Sequence, residues 1–139
     1  MLNDSAMALP RQLSPLEKLC DYAAIHRFAV LSDDFNPIHV DREFAAASPM
    51  GGLIAHGPLS LGLVFQVLGN ALNERERSGI SVDLYFRRPV RENDTITAGG
   101  QLREDQTHTY AVWVRNQKGE IVAEGEARVV SAAATGSPA

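Results

Sequence analysis

The sequence predicts an α+β domain in which an antiparallel sheet wraps one long helix. Three observations predict it. Helical patterning is confined to the first half of the chain, period-two alternation fills residues 82–129, and residues 44–73 contain no Asp, Glu, Lys or Arg. A length of 139 residues suits one domain and argues against a separate cofactor domain. With 13 basic and 17 acidic residues the formal charge is −4, and no Lys/Arg cluster interleaves with aromatics, which argues against nucleic-acid binding. The single cysteine, Cys20, excludes an internal disulfide framework and a multi-cysteine zinc site, and suits a reducing cytoplasm. The N-terminal residues do not read as a signal peptide.

Taken in order, residues 1–13 and 132–139 are small, polar or Pro-containing, and are expected to be poorly ordered flanks of one domain spanning 14–131. Pro15 supplies a first-turn signal, and Leu16, Leu19, Ala23, Phe28, Val30 and Leu31 form an imperfect helical stripe, predicting a helix up to Ser32. The following SDDFNPIH segment is expected to be a bent loop, because Pro37 lacks a donor and pushes Asn36 towards an extended conformation. Asp41 is placed to cap a short helix through Arg42–Ala47, and Pro49, Gly51 and Gly52 then force irregular chain.

A long helix is expected from near Gly57 and Pro58 to about Arg77. Its apolar part, Leu53 to Leu72, is about long enough to cross a bilayer. Gly57, Pro58, Ser60, Gly62, Gln66, Gly69 and Asn70 interrupt it, however, and no aromatic or basic anchors flank it, so it reads as a helix buried on nearly every side. Val82, Leu84 and Phe86 then alternate with polar neighbours, as do Ile96, Ala98, Gly100 and Leu102, then Tyr110, Val112 and Val114. A turn at Asn116–Gly119 leads into Ile121, Ala123, Gly125, Ala127 and Val129, completing a hairpin.

Two local features carry candidate chemistry. Asp34, Asn36 and His39 lie within six residues on a bent segment, where a carboxylate and an imidazole could share a water as an acid–base pair. Spacing alone favours a plainer reading, with Asp34 capping a turn, Asn36 bonding locally and His39 an ordinary histidine. A calcium loop starting at Asp34 is excluded, because the required glycine is missing and its twelfth position is Ala45. His26, His39, His56 and His108 show no paired zinc spacing, so no metal is expected. The second feature is Ile54-Ala55-His56-Gly57-Pro58, where free N–H groups at a helix start could receive a carbonyl oxygen. A simple turn into the helix is again the plainer alternative.

Together the two features resemble a known family. The stretch Phe28-Ala-Val-Leu-Ser32-Asp33-Asp34-Phe-Asn36-Pro37-Ile38-His39, followed by Ile54-Ala-His-Gly57, resembles the MaoC-like, or (R)-specific enoyl-CoA hydratase, family and its S-G-D-x-N-P-I-H signature. Phe86-Arg-Arg-Pro-Val90 and Asn93-Asp94-Thr95 extend the likeness, which covers about residues 15–130. The resemblance implies a hot-dog fold that pairs as a homodimer, and reversible syn hydration of a trans-2-enoyl thioester. One sheet of this length can wrap the helix only partly, so Leu53–Leu72 is expected to finish its burial against the partner subunit. Asp34 and His39 would be its acid–base pair, and the Gly57 N–H would polarise the thioester carbonyl. Ser32, Asn36 and His56 would support them.

The substrate carrier would be coenzyme A or acyl carrier protein, with no cofactor and no membrane or nucleic-acid partner. Arg87 and Arg88 are candidates for its phosphates, although solvated strand-end arginines are commonplace. Leu61, Phe65 and Leu68 are candidate linings of an acyl tunnel. Trp113 more simply packs, and His26 and His108 are read as surface or structural. Asp33 stands where the signature has glycine, which would strain a positive φ and place a second carboxylate beside Asp34. A hot-dog thioesterase and a non-catalytic acyl-thioester-binding subunit are the alternatives.

Overall fold

The computed structural model describes residues 9–105 and 108–129. Strand β1 (Gln12–Cys20) is followed by helices α1 (Tyr22–Ser32), α2 (Pro37–Val40), α3 (Arg42–Ala47), α4 (Gly57–Ala71) and α5 (Glu74–Arg77), then by β2 (Ile80–Phe86), β3 (Asp94–Leu102), β4 (Thr109–Arg115) and β5 (Ile121–Val129). The strands form one antiparallel sheet in the order β1-β3-β4-β5-β2. Helix α4 lies on it, and Leu59, Leu63, Val64, Val67 and Leu68 share one core with Ile96, Ala98, Tyr110, Val112 and Val114. Alternation therefore located β3 and β4 correctly, since period two puts every second side chain on the helix side. The Asn116–Gly119 turn is also as expected: Asn116 Oδ1 accepts from the Lys118 and Glu120 N–H groups, and Gly119 takes φ 78°.

The expected helix over residues 14–32 is corrected. Ser14 to Cys20 belongs to β1, and α1 starts only at Tyr22, where Asp21 caps it by accepting from Ala24 N. Leu16 packs on the core while Leu19 is 53% exposed, so the spacing of three that resembled a helix joins side chains on opposite faces of a strand. Ordered chain also begins ahead of residue 14, because Leu102 N donates to Arg11 O and the Tyr110 hydroxyl donates to Pro10 O. Residues 1–8 and 132–139 of the expected flanks lie outside the described residues.

The long helix is shorter than expected. Helix α4 stops at Ala71, Leu72 is extended at ψ 151°, and Asn73 with Glu76 forms a capping box that starts α5 afresh. Its burial is one-sided within the chain: Pro58, Gly62, Phe65, Gln66 and Asn70 are exposed. Strand β2 is an edge strand, and Phe86 at its end is exposed rather than buried. Among the described residues no helix is long and apolar enough to cross a membrane.

Candidate active site

The chain leaves α1 through Asp33, which takes the left-handed conformation (φ 55°, ψ 37°). Its N–H and that of Asp34 turn back to carbonyls in the last turn of α1. Two side-chain bonds then shape the segment: Asp34 Oδ1 accepts from Asn36 N at 3.2 Å, and Asn36 Oδ1 accepts from Ile38 N at 3.1 Å. Asn36 is thereby the cap of α2, with Pro37 in its first turn. His39 consequently sits on a single helical turn, a correction to the expected irregular loop. Asp41 accepts from Phe44 N and caps α3 as predicted.

The two histidines are fixed by carbonyls distant in sequence. His39 Nδ1–H donates to Ile54 O at 2.7 Å, and His56 Nε2–H donates to Asp34 O at 3.0 Å. A carbonyl oxygen only accepts, so the hydrogen sits on Nδ1 in His39 and on Nε2 in His56. His39 Nε2 is left with a free lone pair. The rings stack with centroids 3.8 Å apart and planes 24° apart, and Phe28 packs against His56 at 5.0 Å. His56 is 2% exposed, and burial pulls its pKa below the usual histidine value, so the ring is neutral at physiological pH. Its Nδ1 is buried without a hydrogen-bond partner.

Potential ligand atoms of Asp34, His39 and His56 lie within 4.8 Å of one another. The group is compact enough to grip one water. It is poorly built for a metal ion, because lone pairs in the planes of two stacked rings do not converge on a point about 2 Å away.

Beside this group α4 begins. His56 is its cap residue without a side-chain cap bond, Gly57 is the first helical residue, and Leu59 N donates back to His56 O. The Gly57 N–H therefore has no intrahelical acceptor, at the positive end of the helix dipole. It borders a cavity of about 300 Å³ lined by Ile54, His56, Gly57, Ser60, Phe86 and Arg88, among others. The Phe86 ring lies 3.4 Å from where a Gly57 Cβ would stand, so the missing side chain keeps this corner open.

Asp34 and His39 do not line the cavity themselves and reach it through His56 and Ile54. Nor are the proposed tunnel residues there: Leu68 is fully buried in the core, Leu61 is half-buried, and Phe65 is 41% exposed. Ser32 Oγ donates to Phe28 O within α1 and touches none of the reactive groups. Arg87 and Arg88 both line the cavity, but Arg87 is paired with Glu124 at 3.1 Å. Arg88 also lines a second cavity of about 170 Å³ with Arg91, Lys118, Asp94 and Glu120. There Asp94 accepts from Arg91 N and Gln117, and Glu120 accepts from Asn116, which with the nearby charges of Arg88 and Lys118 holds its carboxyl below the usual glutamate value. Trp113 packs under Arg115, and His26 lies between Tyr22 and Phe35.

Sequence reasoning missed the Ile54 carbonyl that orients His39, because a backbone acceptor has no residue-type signature. Phe28 was legible as an apolar helix position and the start of the family-like stretch but not as the packing partner of His56, and Ser60 only as an interruption of an apolar run.

A carboxylate and an imidazole beside a free helix-start N–H are groups that can exchange a proton and receive a carbonyl oxygen, on a sheet that wraps a helix. The chain belongs to the family of the MaoC like domain, which matches residues 7–124. It is 36% identical over 123 residues to an (R)-specific enoyl-CoA hydratase of Rhodospirillum rubrum, covering 86% of this chain and 85% of that protein. It is 34% identical over 117 residues to a 3-hydroxybutyryl-CoA dehydratase of Methylorubrum extorquens, covering 82% and 74%. The solved (R)-hydratase of A. caviae, involved in PHA biosynthesis, superposes with a TM-score of 0.71 at 33% identity, covering 87% of this chain and 94% of that one. The hot-dog arrangement expected from the sequence is thus the fold of this protein.

Proposed function

We propose that this protein is an (R)-specific enoyl-thioester hydratase, acting in reverse as a 3-hydroxyacyl-thioester dehydratase. The observation that carries the reading is the clustering of Asp34 and His39 beside the free Gly57 N–H. Water held by the Asp34 carboxylate and His39 Nε2 attacks the β-carbon of the enoyl thioester. One of its protons passes to the pair, the C–O bond forms, and the alkene electrons move onto the thioester carbonyl as an enolate. The Gly57 N–H stabilises that oxygen where its charge is largest. The pair then returns a proton to the α-carbon from the same face, so water supplies every atom added and both residues end as they began.

The acyl carrier is a thioester bearing phosphate, either coenzyme A or a phosphopantetheinylated protein, and Arg88, Arg91 and Lys118 support this choice. The exposed side chains Phe35, Phe44, Phe65 and Phe86 support a homodimer in which a second copy covers them. Leu61 and Phe65 contact substrate in this reading only if the partner closes a tunnel around them.

The test is loss of enoyl absorbance with crotonyl-CoA, together with chiral analysis of the product and a thiol-reactive dye. Asp34→Asn and His39→Gln should each lower kcat by about 10²- to 10⁴-fold with unchanged melting temperature. Wild-type turnover in both variants, or an (S)-product, refutes the assignment. Release of free thiol would mark a thioesterase, and tight binding without an absorbance change would mark a carrier subunit.

A further inference from the structure

We infer that His56 is a positioning residue that sets Asp34 and His39 relative to each other, its neutral ring serving as a strut. The inference rests on the hydration reading above and names a member of that site. No other side chain among the described residues both bonds Asp34 and stacks on His39. Its Nε2–H holds the Asp34 carbonyl at 3.0 Å, its face packs on the His39 ring at 3.8 Å, and its backbone is the cap from which Gly57 starts α4. A shift of this one ring would therefore move the carboxylate, the imidazole and the oxyanion donor together.

Burial explains why the strut is rigid. Phe28 packs against His56 at 5.0 Å and the residue is 2% exposed, so the ring has no room to turn. Neutrality is also required of it. A second imidazolium stacked on His39 would oppose proton transfer to His39, and the one carboxylate facing it, Asp34, would be drawn into pairing with it instead of holding the water. The titratable groups facing it are Asp34 and His39. The partnerless Nδ1 fits this role, because a lone pair in an apolar wall resists protonation while Nε2–H is retained for Asp34.

Three variants and one spectroscopic measurement test this. His56→Phe keeps a stacking ring and loses the donor, His56→Gln restores a donor near the Nε2 position, and His56→Asn places its amide short of that position. With crotonyl-CoA, His56→Phe should lose about 10- to 100-fold in kcat with KM changed less than about threefold, as expected for misplaced reactive groups. His56→Gln should recover most of that loss. If His56→Phe does not fold, the amide pair decides, with Gln active and Asn impaired. Equal kcat in Gln and Asn, wild-type kcat in Phe, or a loss carried wholly by KM overturns the inference.

Imidazole nitrogen NMR of the wild-type protein is independent of turnover. It should show His56 as the Nε2–H tautomer throughout pH 6.5–8 and His39 as the Nδ1–H tautomer in its neutral form. A His56 that titrates in that range removes the strut whatever the substrate proves to be. Absence of hydration with both tautomers as stated removes the hydration reading alone.

Discussion

The five-stranded sheet and the segment from Asp33 to Gly57 are held by different physics. In the sheet, pairings such as Leu16 with Ala98 and Leu84 with Gly125 join residues far apart in sequence, over a core in which Ile96 and Val114 are fully buried. In the segment, the shaping bonds are mostly local: Asp34 to Asn36, Asn36 to Ile38, Asp41 to Phe44, and Ser48 to Met50. Most of its side chains are exposed or half-buried, with Ala45, Leu53, Ala55 and His56 the buried exceptions. A few long-range ties fasten it: His39 to Ile54 O, His56 to Asp34 O, and Arg42 to Glu92. Stability and chemistry are thus housed separately, and changes in one region should spare the other.

The sharpest way to break the sheet is Gly125→Ala. A Cβ there would stand 1.9 Å from Asp83 O across the β2–β5 pairing, where neither backbone can yield. No cooperative thermal transition is expected, and a native-like melt would show that the strands separate more easily than their ladder implies. Next in size is Leu68→Ala, at a fully buried position where α4 meets the sheet. It should cost about 2–5 kcal/mol in denaturant unfolding and leave kcat per folded molecule near wild type. Asp34→Asn has the opposite signature.

Proton linkage separates the regions more gently. Burial depresses the His56 pKa from its unfolded value of 6.5, so below that pH the unfolded chain binds the extra proton, and stability should fall as pH drops further. The slope should flatten in His56→Gln. In the core the sign reverses: burial pushes the Cys20 thiol up to about 11 from 9.0, so its contribution is present below pH 9 and fades as pH rises towards 11. Iodoacetamide at pH 8 should therefore label Cys20 only on unfolding. The smallest effect is expected from Asp33→Gly, which relieves a left-handed residue at the end of α1 and should stabilise by about 1 kcal/mol or less. A lower melting temperature in that variant would mean that the Asp33 side chain holds the turn.

Much of the site was legible because its rules are local. Pro37 after Asn36 dictates a bend, though the helical turn it opens reads as loop, Asp41 dictates a cap, and Gly57-Pro58 dictates a helix start. Strands β3 and β4 were legible because alternation reports a buried face directly. Strand β1 was hidden because Leu16 and the exposed Leu19 fall at helical spacing, and the end of α4 by an apolar run that continues through Leu72 past the helix. The charge-free helix was expected to finish its burial against a partner subunit, and within one chain its burial is one-sided, since missing charge reports an apolar environment without saying which molecule supplies it.

By itself, the sequence determined which acid–base groups exist, the bends that present them and the glycine that opens the helix start, since each depends on torsions and hydrogen bonds within a few residues. Only the tertiary structure decided their partners. His39 meets the carbonyl of Ile54 across 15 positions, and His56 meets that of Asp34 across 22. Those distances are set where α4 packs on the sheet, so the tautomers of both rings follow from packing and have no signature in the chain.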